Sequence, residues 1–440
     1  MVSGEFITNE ADVGLPPLQS SRRAVWEYYR IEFLPNGYPG RRTGDELFAH
    51  PIYGPYVIAD YTAQYRRTQE PRFLEAACRV ADAAIDQMTE VGGGLAFLYS
   101  QEKSRVSSKK GLWYSGLTQA RYVEVFNKLL AQPGTERYRE PLSRILISLT
   151  VPVEEGGVAR YTDDGGLVIE EYPSLAPDCT LNGWTTATVI LADYARRTGD
   201  PQAWELFRLS VKGLERLIGL FDVPEYATSR YKLTGPATIR LTAEKTDVKV
   251  GDCRVVMPAS GVFAANDDLD PAGKNLAEGP KVVGNGATQS FVFLLSRITW
   301  PAPNRLRFQI EAEEDGIVGL EIGDGPFNPL ISTLAPQFYR DLGRFPVSRG
   351  ENCIEVPVEW VDAEIIAHPT NFGKRIAGRQ FNQYHWIHVD TLGKIVSQAD
   401  SDILRYYRER WSRSPEKWPE ISEYQTEDIS LERFDPKRHK

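Results

Sequence analysis

A carboxylate pair beside a phenol occurs at Glu170-Glu171-Tyr172-Pro173, followed closely by Leu181-Asn182-Gly183-Trp184. A tyrosine before proline is pushed toward extended backbone, and Asn182-Gly183 opens an apolar-periodic run. The acids therefore belong to a loop at a helix start, where a carboxylate and a phenol held together could exchange protons with a substrate. A turn with a solvated acid pair and a packed tyrosine is the plain structural alternative. A second stretch, Asn382-Gln383-Tyr384-His385-Trp386-Ile387-His388, carries two of only five histidines. At i and i+3 they share one helical face. Zinc is the tempting occupant, but no HExxH spacing and no second matched pair accompanies them. A structural histidine pair is the stronger reading, with no metal.

Three further stretches are aromatic and polar. His50-Pro51-Ile52-Tyr53-Gly54-Pro55-Tyr56 runs from a loop into a helix. Gly111-Leu112-Trp113-Tyr114-Ser115-Gly116-Leu117-Thr118-Gln119-Ala120 reads as a cleft-lining loop whose helix is capped by Ser115; a capping motif with packed aromatics fits equally. In Tyr226–Leu233, Arg230 and Lys232 flank Tyr231, which suits an anion grip or a solvated basic turn. The Gly-rich stretches at 92–94 and 156–157 fit neither a P-loop nor a dinucleotide fingerprint, and GxSxG is absent.

The elements that must position these residues change character along the chain. Residues 20–234 read as helical by apolar spacing and caps, with the best segments at 55–67, 71–90, 115–131, 138–149, 183–198 and 201–220. A weak repeat runs through them: ADYTAQYRRTQEP at 59–71 resembles ADYARRTGDP at 192–201. Each ends one amphipathic helix and starts another with proline in its first turn. Irregularly spaced helix pairs favour an (α/α) toroid over a solenoid. Residues 235–370 alternate apolar and polar between Gly, Pro and Asn turns, as in ATIRLTAE, QSFVFLLSRI, RLRFQIEAE and NCIEVPVEW, which is the pattern of an antiparallel β-sandwich. Residues 371–411 return to helix, and 412–440 read as a Pro- and charge-rich tail, draped or frayed. The expected fold class is thus multidomain α + β: an (α/α) toroid or barrel with an inserted or docked antiparallel β-sandwich.

Composition narrows the partners. Asp plus Glu number 60 against 51 Lys plus Arg, a formal net charge of -9, which speaks against a broad nucleic-acid surface. Tyrosine and tryptophan are abundant, at 21 and 9; sugar-binding clefts and gap-filling in helix packing both explain that. Four distant cysteines form no metal-ligand spacing, so free buried thiols are expected, with one or two disulfides as the alternative. The first residues show no basic start or apolar core of a signal peptide, and no apolar run reaches the ~18 residues of a membrane span. Localisation is unknown, with cytoplasmic as the default.

Taken together, these motifs resemble the C-terminal catalytic domain of D-glucuronyl C5-epimerases, which act on heparan-type polysaccharides. The residues that carry the resemblance are Glu170 to Pro173 with Leu181-Asn182-Gly183, and Tyr384-His385-x-x-His388 leading to RYYRERW at 405–411. Trp113 to Gln119, His50 to Tyr61 and Tyr231-Lys232-Leu233 follow in the family's order. The resemblance implies an (α/α) barrel, no organic cofactor, an acidic polysaccharide substrate and a homodimer. It maps the catalytic glutamate and tyrosines onto Glu171, Tyr172, Tyr231 and Tyr384. Substrate binding would fall to His50, Tyr53, Trp113, Tyr114, Gln119, Asn182, Arg230, His385 and His388. Two features depart from the family: the β-rich stretch lies between Tyr231 and Tyr384 instead of preceding the barrel, and the family's YDLRH turn continues here as Lys232-Leu233-Thr234. Arg230 or Lys232 stands where the missing charge could be replaced.

The implied chemistry explains the residue types. The C5 proton of glucuronate is very weakly acidic while the neighbouring carboxylate is charged, so a site must neutralise that carboxylate and stabilise an enolate. Epimerisation then needs a base on one face of the ring and an acid on the other. Glu171 with Tyr172 is expected at one face and Tyr384 at the other. A polysaccharide lyase shares the first step. A glycoside hydrolase would need two opposed carboxylates, for instance Glu170 or Glu171 with Asp163 or Asp390, and a glycan-binding protein would need none.

Overall fold

The structure is a computed structural model that describes residues 8–99, 112–173, 177–257, 261–264, 281–298, 304–325, 327–330, 333–334, 337–358, 368–376 and 378–434. The chain divides into two compact units. The first comprises residues 1–173, 183–216 and 397–399, and the second residues 174–182, 217–396 and 400–440.

The first unit is mainly helical. After the short α1 (Arg23–Tyr29) come α2 (Tyr53–Thr68), α3 (Pro71–Ile85), α4 (Gly116–Leu130), α5 (Arg139–Ser148), α6 (Leu181–Thr198) and α7 (Pro201–Leu217). The weak repeat has a structural basis. The α2–α3 and α6–α7 links each pass through a left-handed residue, Gln69 (φ 60°) and Gly199 (φ 72°), then an acid, then proline at the first helical position. The left-handed residue ends one helix, and the proline starts the next without losing a hydrogen bond. α3 shows what holds these helices: Phe73, Ala76, Ala77, Val80, Ala81 and Ala84 form its buried face.

Three small antiparallel sheets interrupt the helices that the sequence led us to expect throughout. They are β1 (Glu32–Phe33), β2 (Pro39–Thr43) and β3 (Glu46–Ala49); β4 (Thr89–Val91) with β5 (Gly94–Ala96); and β6 (Ala159–Tyr161) with β7 (Leu167–Ile169). Each hairpin is too short for the two-residue alternation to register against helical periodicity.

In the second unit, β8 (Asp222–Val223) and β9 (Thr228–Lys232) lead into a run of long strands. These are β10 (Thr234–Glu244), β11 (Val248–Met257), β12 (Gly261–Ala264), β13 (Lys281–Val283), β14 (Thr288–Ser296), β15 (Asn304–Ala312) and β16 (Gly316–Asp324). After the hairpin β17 (Phe327–Asn328) and β18 (Thr333–Leu334) come β19 (Phe338–Val347) and β20 (Gly350–Val358). One antiparallel sheet runs β14-β10-β16-β19; another runs β12-β11-β15-β20, with β13 also on β11. Ile239, Leu241, Phe293 and Leu320 from the first sheet and Val250, Leu306, Phe308 and Val356 from the second belong to a single buried cluster. Alternate residues of β10, β14, β15, β16 and β20 thus serve one core.

The chain then forms β21 (His368–Pro369), β22 (Lys374–Ile376), β23 (Arg379–Phe381), α8 (Gln383–Val396) and α9 (Asp402–Ser412). The C-terminal segment is not frayed over its described residues, 412–434. Trp418 and Tyr424 are buried beside Phe372, and β24 (Ile429–Ser430) pairs in parallel with β23. The indole N–H of Trp418 donates to the Ala227 carbonyl (2.8 Å) and the Tyr424 hydroxyl to that of Tyr226 (2.8 Å). Two aromatic anchors with satisfied polar ends outweigh the polar composition around them.

None of the four cysteines is in a disulfide; Cys179 and Cys253 are buried, Cys78 is half-buried and Cys353 is exposed. Among the described residues no helix is long and apolar enough to cross a membrane.

Candidate active site

In the first unit, the β6–β7 hairpin delivers Glu170 and Glu171 to the start of α4. The Gly116 amide donates to the Glu170 carbonyl (2.9 Å) and the Glu170 amide to the Val158 carbonyl (2.8 Å). The Glu170 side chain is fully buried and meets Arg160 through Nε at 3.0 Å. Glu170 is therefore a structural acid, and its neighbour Glu171 is 7% exposed. Glycine at 183 matters here: a Cβ there would lie 2.8 Å from Cβ and Cδ of Glu171 and closer still to its Oε2. The carboxylate occupies the space that a side chain on α6 would fill.

The Tyr172 ring lies 5.9 Å from Trp113. Trp113 stacks on Tyr99 (4.5 Å, 12° between planes), and the two residues exchange backbone hydrogen bonds of 2.6 and 3.2 Å. His50 stacks on Tyr53 (4.1 Å, 12°) and meets Tyr99 edge-on at 5.6 Å. Burial and the charge of Arg41 hold the His50 imidazole down at about 4, so it is neutral near pH 7. Burial raises the phenol of Tyr53 and lifts that of Tyr99 well above its usual range.

Ser115 caps α4 as expected, its hydroxyl accepting from the Thr118 amide (3.4 Å). Tyr114 and Gln119 sit in the scaffold. The Tyr114 hydroxyl donates to the Ser148 carbonyl (2.7 Å), and Gln119 Nε2 donates to the Leu95 carbonyl (2.8 Å) and Ser148 Oγ (2.9 Å). Both side chains are fully buried and hold the wall that carries Trp113.

In the second unit, Tyr231 on β9 and Tyr384 in the first turn of α8 meet edge-to-face with ring centroids 4.8 Å apart. Tyr384 is 39% exposed. Beside Tyr231, Arg230 is buried and donates through Nε to the Leu220 carbonyl (3.0 Å), while Lys232 reaches Asp178 at 3.3 Å. Asn182 is almost fully buried.

The i, i+3 histidines share one face as read, and that face points inward. The Ser229 amide donates to His385 Nδ1 (3.2 Å), and the Ser229 hydroxyl lies 2.8 Å from His388 Nδ1. His385 Nε2 lies 2.8 Å from the Trp411 carbonyl, which fixes the tautomer: Nε2 carries the proton and Nδ1 accepts. Burial lowers His385 to about 4 and His388 well below the usual imidazole value. Asn382 accepts from the His385 amide (3.2 Å) and donates to Thr370 Oγ1 (3.0 Å), so it caps α8 and ties it to β21's exit. Among the described residues no group of three or more His, Cys, Asp or Glu is placed to hold a metal ion.

The structure thus assembles two clusters, one in each unit: Glu171–Tyr172–Trp113 with the aromatic row behind it, and Tyr231–Tyr384, where β9 meets the histidine-bearing α8. Sequence reasoning missed Tyr99, Arg41, Ser229 and the role of Gly183. Tyr99 and Arg41 lie in no motif; Gly183 is part of LNG, and Ser229 falls within Tyr226–Leu233, where only the charged and aromatic residues were singled out.

Over residues 94–244 the chain matches the model of a carbohydrate-epimerase family. The family model that it matches there is the C-terminus of D-glucuronyl C5-epimerase, the family its motifs resemble. That stretch contains Glu171, Tyr172 and Tyr231 and ends well before Tyr384. An uncharacterized protein of Methanocaldococcus jannaschii is 26% identical over 136 residues, which are 30% of this chain and 44% of that protein. The chain therefore spans less than half the length of this curated relative. Among solved structures, cellobiose 2-epimerase from Bacillus thermoamylovorans is similar over 42% of this chain and 48% of its own, with 12% identity and a TM-score of 0.31. A family 76 glycoside hydrolase (mannosidase) from Bacteroides thetaiotaomicron is similar over 37% and 43%, with 14% identity and a TM-score of 0.25. Neither likeness is close enough to define a shared fold.

Proposed function

We propose that the protein is a cofactor-independent C5-epimerase of glucuronate residues in an acidic polysaccharide, converting D-glucuronate to L-iduronate. The same proposal takes the helical unit as an (α/α) toroid, the two sheets sharing one core as a β-sandwich, and the working molecule as a homodimer. The observation that carries it is the Tyr231–Tyr384 pair: two phenols in edge contact, one of them open to solvent, within a chain whose 94–244 stretch matches the epimerase family.

The reaction removes the C5 hydrogen as a proton, leaves the electron pair delocalised into the carboxyl group, and returns a proton from the other side. In the second unit Tyr384, with Tyr231 beside it, is the proposed proton-transfer group; in the first unit Glu171, with Tyr172 beside it, is a separate candidate. Lys232 and Arg230 provide positive charge near the phenols, which favours a phenolate and an enolate alike. His385 and His388 act by position: they fix Ser229 and the start of α8, and with them the two tyrosines.

The test is incubation with glucuronate polymers in heavy water, reading deuterium at C5. Tyr384→Phe should abolish exchange while leaving glycan binding largely intact. Unchanged exchange removes Tyr384 from the mechanism, and new ultraviolet absorbance from a C4–C5 double bond replaces epimerisation by elimination.

A further inference from the structure

Arg41 differs from the exposed Arg30, Arg66, Arg67 and Arg197, which also have no carboxylate partner among the described residues, in being half-buried, and from half-buried Arg79, which is tied to three backbone carbonyls. Arg42, the neighbour of Arg41 on β2, pairs with Glu32 at 2.7 Å, and Arg121, Arg137, Arg144, Arg160 and Arg216 each have a carboxylate within 3.0 Å. Arg41 points from β2 in the opposite sense to Arg42, is half-buried, and has no carboxylate partner among the described residues. It hydrogen-bonds the Tyr53 phenol instead, and its charge is felt by the His50 imidazole, whose amide donates to the Pro39 carbonyl at the start of β2 (3.3 Å). Holding a cation partly out of water beside neutral rings is unfavourable unless an anion is brought to it. The Nδ1 of His50 is buried and has no hydrogen-bond partner among the described residues.

These two groups stand beside a continuous row of rings. From Tyr172 it passes through Trp113, Tyr99, His50 and Tyr53 to Tyr29, with successive centroids 5.9, 4.5, 5.6, 4.1 and 5.4 Å apart. Arg41 meets the row at His50 and Tyr53, three ring steps from Tyr172 and its neighbour Glu171. A sugar met there is not the one undergoing chemistry.

We propose that Arg41, with His50 beside it on the aromatic row, is an anion-binding subsite that grips a carboxylate or sulfate ester on a sugar remote from the reacting uronate. The planar guanidinium matches an oxyanion bidentately, and neutral His50 adds one hydrogen bond without competing for charge. This rests on the epimerase reading for its ligand class and adds the residue that would select acidic over neutral glycan.

Calorimetric titration with three probes tests it: an unsulfated glucuronate polymer, its carboxyl-reduced form, and the reduced form after sulfation. Arg41→Gln should weaken binding of the glucuronate polymer roughly tenfold and leave the weak affinity for the reduced polymer as it was. Arg41→Lys should lie between, and Arg42→Gln, on the exposed paired neighbour, should match the parent. Recovery of affinity on the sulfated reduced polymer, lost again in Arg41→Gln, assigns the grip to sulfate as well. Equal affinities of parent and Arg41→Gln for the glucuronate polymer, with unchanged melting temperature, overturn the subsite whatever the exchange assay shows. Charge-dependent binding that vanishes in Arg41→Gln without any C5 exchange in the parent upholds the subsite and overturns only the epimerase reading.

Discussion

Gly183→Ala is the sharpest probe of how Glu171 is held. In an exposed helix interior, replacing glycine by alanine stabilises by about 1 kcal/mol. Here the new methyl would sit 2.8 Å from Cβ and Cδ of Glu171, against the 3.4 Å at which ordinary contact begins, and nearer still to Oε2. Something must yield by more than half an ångström, and the side chain can yield more easily than α6. The carboxylate oxygen then moves by roughly 1 Å, enough to cost on the order of 10²-fold in rate when a catalytic group is involved. Overpacking costs ~1–3 kcal/mol and is partly offset by the propensity gain, so the melting temperature should change little. The assay is C5 deuterium incorporation at saturating glucuronate polymer, with affinity measured separately by titration. A folded Gly183→Ala protein that exchanges at the parental rate would show that Glu171 is not a proton-transfer group, or that its position is not set by α6.

Two further outcomes follow from buried charge and buried imidazole. Arg160→Ala removes the cation from the fully buried Glu170 carboxylate and should destabilise by ~3–5 kcal/mol; a double-mutant cycle with Glu170→Gln in urea unfolding should recover much of that loss, and simple additivity would deny the coupling. His385 and His388 are held neutral with lowered pKa, so the unfolded chain binds protons that the folded one refuses as pH falls below about 6.5. Stability is fully present above that pH and is lost toward His385's value of about 4, at about 1.4 kcal/mol per pH unit for each histidine. Denaturant unfolding followed by tryptophan fluorescence between pH 7 and 5 reads this directly, and a flat profile would mean the two rings are not shielded.

The legible parts of the fold are those where one periodicity runs unbroken. α2, α3, α4, α6 and α7 lie within a few residues of their expected limits because each has one apolar face and a clear start, such as Ser115 or Pro71. β10, β14, β15, β16 and β20 were readable from alternation. β11 was not, because a bulge between Val250 and Cys253 shifts its register and breaks the alternation at Gly251-Asp252. β19 was not, because as an edge strand it buries little besides Val347 and bulges opposite Leu320 and Glu321. At the site, the family resemblance pointed to Tyr231 and Tyr384 in stretches 153 positions apart, and the structure sets their rings in contact. It could not separate residues that line a surface from those that hold it. Tyr114, Gln119, His385 and His388 are chemically suited to bind a sugar, yet each is turned inward by a partner, Ser148 or Ser229, that carries no signal in sequence.

That inward turn is what makes the Tyr231–Tyr384 pair usable. A phenol in the first turn of a helix would ordinarily swing with a fraying end. Here α8 is fixed from three directions: Asn382 caps it and reaches Thr370, His385 bridges Ser229 and the Trp411 carbonyl, and His388 meets the same Ser229. Because Ser229 lies two residues before Tyr231 on β9, one hydroxyl and one amide register the strand against the helix, and so register the two rings. The buried histidines must stay neutral for this, since a charged imidazole could no longer accept from Ser229. The lowered imidazole values and the fixed phenol pair are thus two consequences of one buried network, and any substitution that charges or removes His385 should loosen Tyr384 before it touches the reacting sugar.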